Sequence, residues 1–154
     1  CGSLDPSHSI GDLLVGTGAV SGEGVSRYYA DKTIIEPCAR ATAEVNDFAG
    51  LHDIQACQGI IWSTDAPYRE RRSELLLLQE QYGIAGVDME FSALCSVASF
   101  RGVSLGALFI VSDMLWTPSW KPGFGGTAFK ESSRDLIEKL IQYALLKKSG
   151  EPEK

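Results

Sequence analysis

The chain has 154 residues, 44% hydrophobic and 22% charged, with a formal net charge of −6. That balance excludes a disordered chain, and the acidic excess excludes a nucleic-acid-binding surface, which needs a basic face. The length fits one domain with its own core.

The chain opens "CGSLDPSHSIGDLLVG", without an initiator Met. Two accounts stay open: removal of Met before a small residue, or a Cys1 that lies inside a longer protein. Cys1, Cys38, Cys57 and Cys95 are scattered, without a CxxC, and the histidines are His8 and His52 alone. No zinc or other metal site is expected from that set, and the cysteine usage points to a reducing, cytoplasmic compartment. Both histidines lie in polar, loop-like surroundings and are expected at the surface. No run of eighteen apolar residues and no signal peptide are present, so neither membrane insertion nor secretion is expected.

In chain order, Asp12–Val20 reads as a strand of small and branched residues, and Ala56–Trp62 as a second. "GTGAVSGEG" after the first strand imitates a phosphate-cradling loop. Its glycine spacing is wrong for the dinucleotide fingerprint, and no helix start follows. Tyr68–Gly83 is expected as a helix with Leu75, Leu78 and Tyr82 on one face and Gly83 as its stop. "IAGVDM" is a short strand, and the next helix runs from Glu90 to Arg101 before Gly102. Val103–Asp113 is nearly all apolar, as a central strand covered on both faces should be. The last helix, Ala128–Lys148, carries Leu136, Ile137, Leu140, Ile141, Ala144 and Leu145 on one face. Strands alternating with helices predict an α/β fold with a mixed sheet over residues 1–148, and residues 149–154 read as a flexible tail.

Two strand ends carry acids: Asp88-Met89-Glu90 and Ser112-Asp113. If the strands are parallel neighbours joined by the helix between them, both acids open on one rim, where such sheets bind ligands. Helix capping is the competing account, since acids in a first turn meet the positive end of the macrodipole. Trp116, Trp120 and Phe124 follow in a long Pro/Gly loop. It is either a lid over a site or an irregular loop anchored by its aromatics.

"CGS" with "GDLLVGTGAV", then "WSTDAPYRE", "GVDMEFSAL" and "FIVSDM", in that order, resembles the purine/uridine phosphorylase superfamily from Cys1 to about Met114. The resemblance implies a three-layer α/β/α fold and a pentosyltransferase that cleaves the N-glycosidic bond of a nucleoside with inorganic phosphate. It implies no metal or organic cofactor. Glu90 would grip the ribose hydroxyls with paired oxygens and Met89 would pack on the sugar, with Asp88 beside them. Asp113 would protonate or hydrogen-bond the purine N7 as the base leaves, with Ser112 orienting Asp113 or the base; for this the pKa of Asp113 should be raised. Tyr68 or the loop tryptophans would stack on the base. Asp113 leans the reading toward purines, with uridine second. Relatives often carry Glu where Asp88 stands, and the Gln-x-Arg clamp of uridine phosphorylases has no counterpart in "YRERRSEL". The family's phosphate-binding loop and arginines precede the "CGS" turn, so the chain resembles the C-terminal portion of a longer domain. An open sheet edge at its start is the expected consequence. Three readings therefore stand: phosphorylase, hydrolytic nucleosidase of the same superfamily, or a nucleoside-binding or oligomerisation module without turnover. Implied partners are nucleoside and phosphate, with no nucleic acid and no membrane, in a homo-oligomer that is a dimer or a trimer of dimers.

Overall fold

A computed structural model describes residues 1–150, with side chains through 147. The tail expected over residues 149–154 falls outside the described side chains, and the backbone is helical to Gly150. Eight strands and four helices follow in the order β1 (Gly2–Ser3), β2 (Leu13–Gly22), β3 (Ile34–Ile35), α1 (Ala39–Leu51), β4 (Ala56–Thr64), α2 (Arg72–Tyr82), β5 (Ile84–Asp88), α3 (Phe91–Arg101), β6 (Leu108–Ile110), β7 (Asp113–Met114), β8 (Lys121–Pro122) and α4 (Thr127–Gly150). The sheet order is β3-β2-β4-β5-β1-β7-β8, with β6 added to β2. β2, β4 and β5 run parallel, while β3 and β6 lie antiparallel to β2.

Strand alternation splits the core into two faces. Trp62 and Val20 point to one side, where Leu75, Leu78 and Tyr82 of α2 pack with Ile84 and Val87. Ile61, Leu14 and Ala19 point to the other, against Phe91 and Cys95 of α3. Neighbours along one strand serve opposite faces because the side-chain period is two residues. The result is the expected three-layer α/β/α arrangement with a mixed sheet. Both α2 and α3 end at a glycine in the left-handed region, Gly83 (φ 66°) and Gly102 (φ 65°), where a Cβ would be strained.

Several expectations are corrected. Val103–Asp113 is not one central strand. Three of its residues pair with the outer side of β2, Val111 N–H still donates to Asp12 O, and Ser112 N–H then turns to Cys1 O. The apolar run changes partners because β1 occupies the slot beside β5 that a continuous strand would have filled. The strand at the start is therefore no open edge, since β5 and β7 flank it on both sides. The helix expected from Tyr68 begins at Arg72, after a 3-10 turn at Pro67–Arg69. Of the apolar face expected on α4, Leu136 is buried but Ile137 and Ile141 are each 56% exposed. His8 is not at the surface: it is buried, with Nδ1 2.8 Å from Ser3 Oγ, so the polar "DPSHS" turn folds over it. Among the described residues, no helix is long and apolar enough to cross a membrane.

Candidate active site

The carboxyl ends of β2, β4 and β5 share one rim, because Gly22 pairs with Thr64 and Ser63 with Asp88. β1 brings the last acid there from the other side: Gly2 pairs with Val87 of β5 and with Asp113 of β7. The two strand ends are thus not parallel neighbours but flank β1, with β7 running opposite to β5. The tight fit depends on Gly2, since a Cβ at that position would sit 2.8 Å from Asp113 Oδ2 and 2.7 Å from Leu115.

At this junction lies a cavity of about 600 Å³, lined on one side by Asp88, Met89 and Glu90 and on the other by Ser112 and Asp113. The size is that of a small-molecule site. Asp88 spends its oxygens on the protein: Oδ1 accepts from Ser63 Oγ (2.6 Å), and Oδ2 from the Phe91 (2.8 Å) and Glu90 (3.2 Å) amides. This is a cap on α3, which an Asp two or three residues ahead of those amides can reach. Glu90 is exposed and lines the cavity beside Met89, which is 44% exposed. Asp113 accepts from Ser112 Oγ at 2.6 Å on Oδ1 and from Trp120 Nε1 at 2.8 Å on Oδ2. Two donors on separate oxygens fix the carboxyl plane.

The carboxyl raised in this cavity is Glu70, which the sequence reading passed over. Burial, and then the charge of Asp113, push it up to about 7. Its only trace in the sequence is its place two residues after Tyr68, inside a charged run that reads as a solvated helix face. Tyr68 itself lines the cavity at its rim and is 96% exposed.

The aromatic loop divides. Trp120 and Phe124 line the cavity, their rings 6.1 Å apart. Trp116 does not: it faces a smaller cavity of about 190 Å³ between Leu4, Leu75 and Gln79. The loop is held there because Arg72 Nη1 donates to the carbonyls of Trp116 (2.9 Å) and Thr117 (2.6 Å). Cys95, on the buried face of α3, is a free thiol pushed up to about 12 by burial and by Asp88.

The model of the phosphorylase superfamily matches residues 1–144. The chain belongs to the phosphorylase superfamily. It is 28% identical over 146 residues to a guanosine phosphorylase of Halorubrum lacusprofundi, covering 94% of this chain and 60% of that protein. A DeoD-type purine nucleoside phosphorylase of Proteus mirabilis is 29% identical over 154 residues, covering 94% and 58%. The chain thus spans 48% to 60% of the length of these and similar curated relatives. Among solved superfamily-like folds, purine nucleoside phosphorylase from Toxoplasma gondii in complex with immucillin-H superposes with a TM-score of 0.78 at 20% identity, over 92% of this chain and 58% of that one. The 5'-methylthioadenosine/S-adenosyl homocysteine nucleosidase of Campylobacter jejuni gives 0.74 at 16% identity, over 92% and 64%. Phosphorylases and nucleosidases therefore share the fold described above.

Proposed function

We propose that the chain carries the sugar- and base-binding part of a nucleoside phosphorylase site, with purine nucleosides ahead of uridine. The observation that carries this reading is the meeting of Glu90 and Asp113 in one cavity, from opposite sides of β1. Glu90 holds the ribose hydroxyls, because its carboxylate is open to the cavity while Asp88 is consumed by capping. Met89 forms the apolar floor beneath the sugar.

Asp113 faces the base. As the C1′–N9 bond lengthens, the bonding pair moves onto the purine and the sugar becomes oxocarbenium-like. A proton or a hydrogen bond at N7 stabilises the departing base. Asp113 must then carry a proton, and Glu70, held near 7, lies across the same cavity. Inorganic phosphate attacks C1′ from the opposite face and leaves as part of the pentose 1-phosphate. No metal or organic cofactor enters this scheme.

Phosphorolysis is placed ahead of hydrolysis because the sequence relatives named above are phosphorylases. The test is release of guanine or hypoxanthine from guanosine or inosine with and without inorganic phosphate. Release that rises with phosphate supports the reading. Release at the same rate in its complete exclusion makes the enzyme a hydrolase, and no release with intact nucleoside binding makes the chain a binding module.

A further inference from the structure

Glu23 is a buried acid, 8% exposed, in the turn that follows β2, away from the cavity-lining set. Burial alone would raise its pKa. Hydrogen bonds from Ser26, Val25, Ser92 and Ser21 outweigh that effect and hold it down at about 2, so it is a carboxylate throughout the working range.

An ionised carboxylate accepts hydrogen bonds and cannot donate, so it sets the direction of every hydroxyl around it. Ser92 Oγ donates to Glu23 Oε1 at 2.8 Å. Ser92 lies in the first turn of α3, fully buried, and its amide donates to Ser63 Oγ at 2.9 Å. Ser63, also fully buried at the end of β4, donates its hydroxyl hydrogen bond to Asp88 Oδ1 at 2.6 Å. Asp88 in turn holds the amides of Glu90 and Phe91. Each residue-to-residue link is a hydrogen bond, and the contacts run from the turn after β2 to Ser92 on α3, to Ser63 at the end of β4, to Asp88 at the end of β5 and so to the amide of Glu90 just ahead of α3. Capping of α3 needs only Asp88. The additional buried carboxylate, costly to desolvate, fixes where that cap and the residue after it sit.

We propose that Glu23 is a positioning residue for the sugar side of the site, acting on Glu90 through Ser92, Ser63 and Asp88. The proposal rests on the reading that Glu90 grips the ribose hydroxyls. It sets two readouts apart. Amide exchange reports whether Glu23 orders the turn, and binding of inosine against 2',3'-dideoxyinosine reports whether that order serves the ribose.

The experiment compares the full chain with Glu23→Gln and Ser63→Ala. Both variants should exchange the amides of Glu90, Phe91 and Ser92 about tenfold faster, while amides in the middle of α4 keep their wild-type rate. Affinity for inosine should fall about tenfold and affinity for the dideoxy analogue less than about twofold. Ser92→Ala, which leaves the carboxylate its remaining donors, serves if Glu23→Gln does not fold, with the same expectation. Unchanged exchange at residues 90–92, or equal losses for both nucleosides, overturns the proposal. A wild-type chain that binds neither nucleoside overturns the ribose reading instead, and the exchange result then decides the structural link by itself.

Discussion

Asp113 and Glu70 show how one cavity places two carboxyls in different environments. Asp113 is pinned by Ser112 and Trp120, while Glu70 is lifted to about 7 by burial and by Asp113. If Asp113 protonates the departing base as proposed, its replacement by Asn keeps the shape and removes that proton. Turnover of purine nucleosides should drop about 10²- to 10⁴-fold, with nucleoside affinity changed far less, as measured by steady-state and single-turnover kinetics. Glu70 makes a separate claim on stability. Its folded-state value near 7 lies above the ordinary 4.5. Between those values the folded chain keeps a proton that the unfolded chain has lost, so stability falls as pH rises from about 4.5 to about 7. Urea unfolding across that window should show the decline, and Glu70→Gln should flatten it. A stability that instead climbs across the window would remove Glu70 from this role.

The elements differ in how much of them the sequence exposes. α2 and α3 are legible because apolar spacing and a terminal glycine agree, and Gly83 and Gly102 adopt the left-handed geometry that stops them. β2 and β4 are legible from their branched, apolar content, and each runs two residues past the expected end, to Gly22 and Thr64. Between them, α1 and β3 went unseen, since "ARATAEVNDFAGL" buries only Phe48 and Ala49 and offers little periodicity. The partner switch along Val103–Asp113 is also invisible to local pattern, because composition gives apolarity and not the identity of the neighbouring strand. Asp88, Glu90 and Asp113, which line the cavity, are legible in the sequence as acids at strand ends. Glu23 and Glu70 are not, since burial in a turn and proximity across a cavity are tertiary facts. Phe91 opens α3 and stands edge-to-face with Phe109 at 5.2 Å while only 1% exposed. Phe91→Ala should cost about 3–5 kcal/mol in urea unfolding, and a loss below about 1 kcal/mol would mean that α3 is not anchored there.

At the scale of the molecule, the sheet acts as a frame that turns distant sequence into one site. Parallel strands β2, β4 and β5 present their carboxyl ends together, and the two-residue β1 wedges between β5 and β7 so that Glu90 and Asp113 line one cavity. The superfamily assignment and the three-layer fold agree with that frame, and the homo-oligomer implied by the family resemblance remains a proposal that sedimentation of the purified chain tests. The central claim is that this cavity holds a nucleoside by its sugar at Glu90 and its base at Asp113. Calorimetric titration of inosine into the wild-type chain, Glu90→Gln and Asp113→Asn tests it most directly. Saturable one-site binding to wild type is expected, weakened about 10- to 100-fold by loss of the Glu90 charge and little by Asp113→Asn. Binding to Glu90→Gln as tight as to wild type would contradict it.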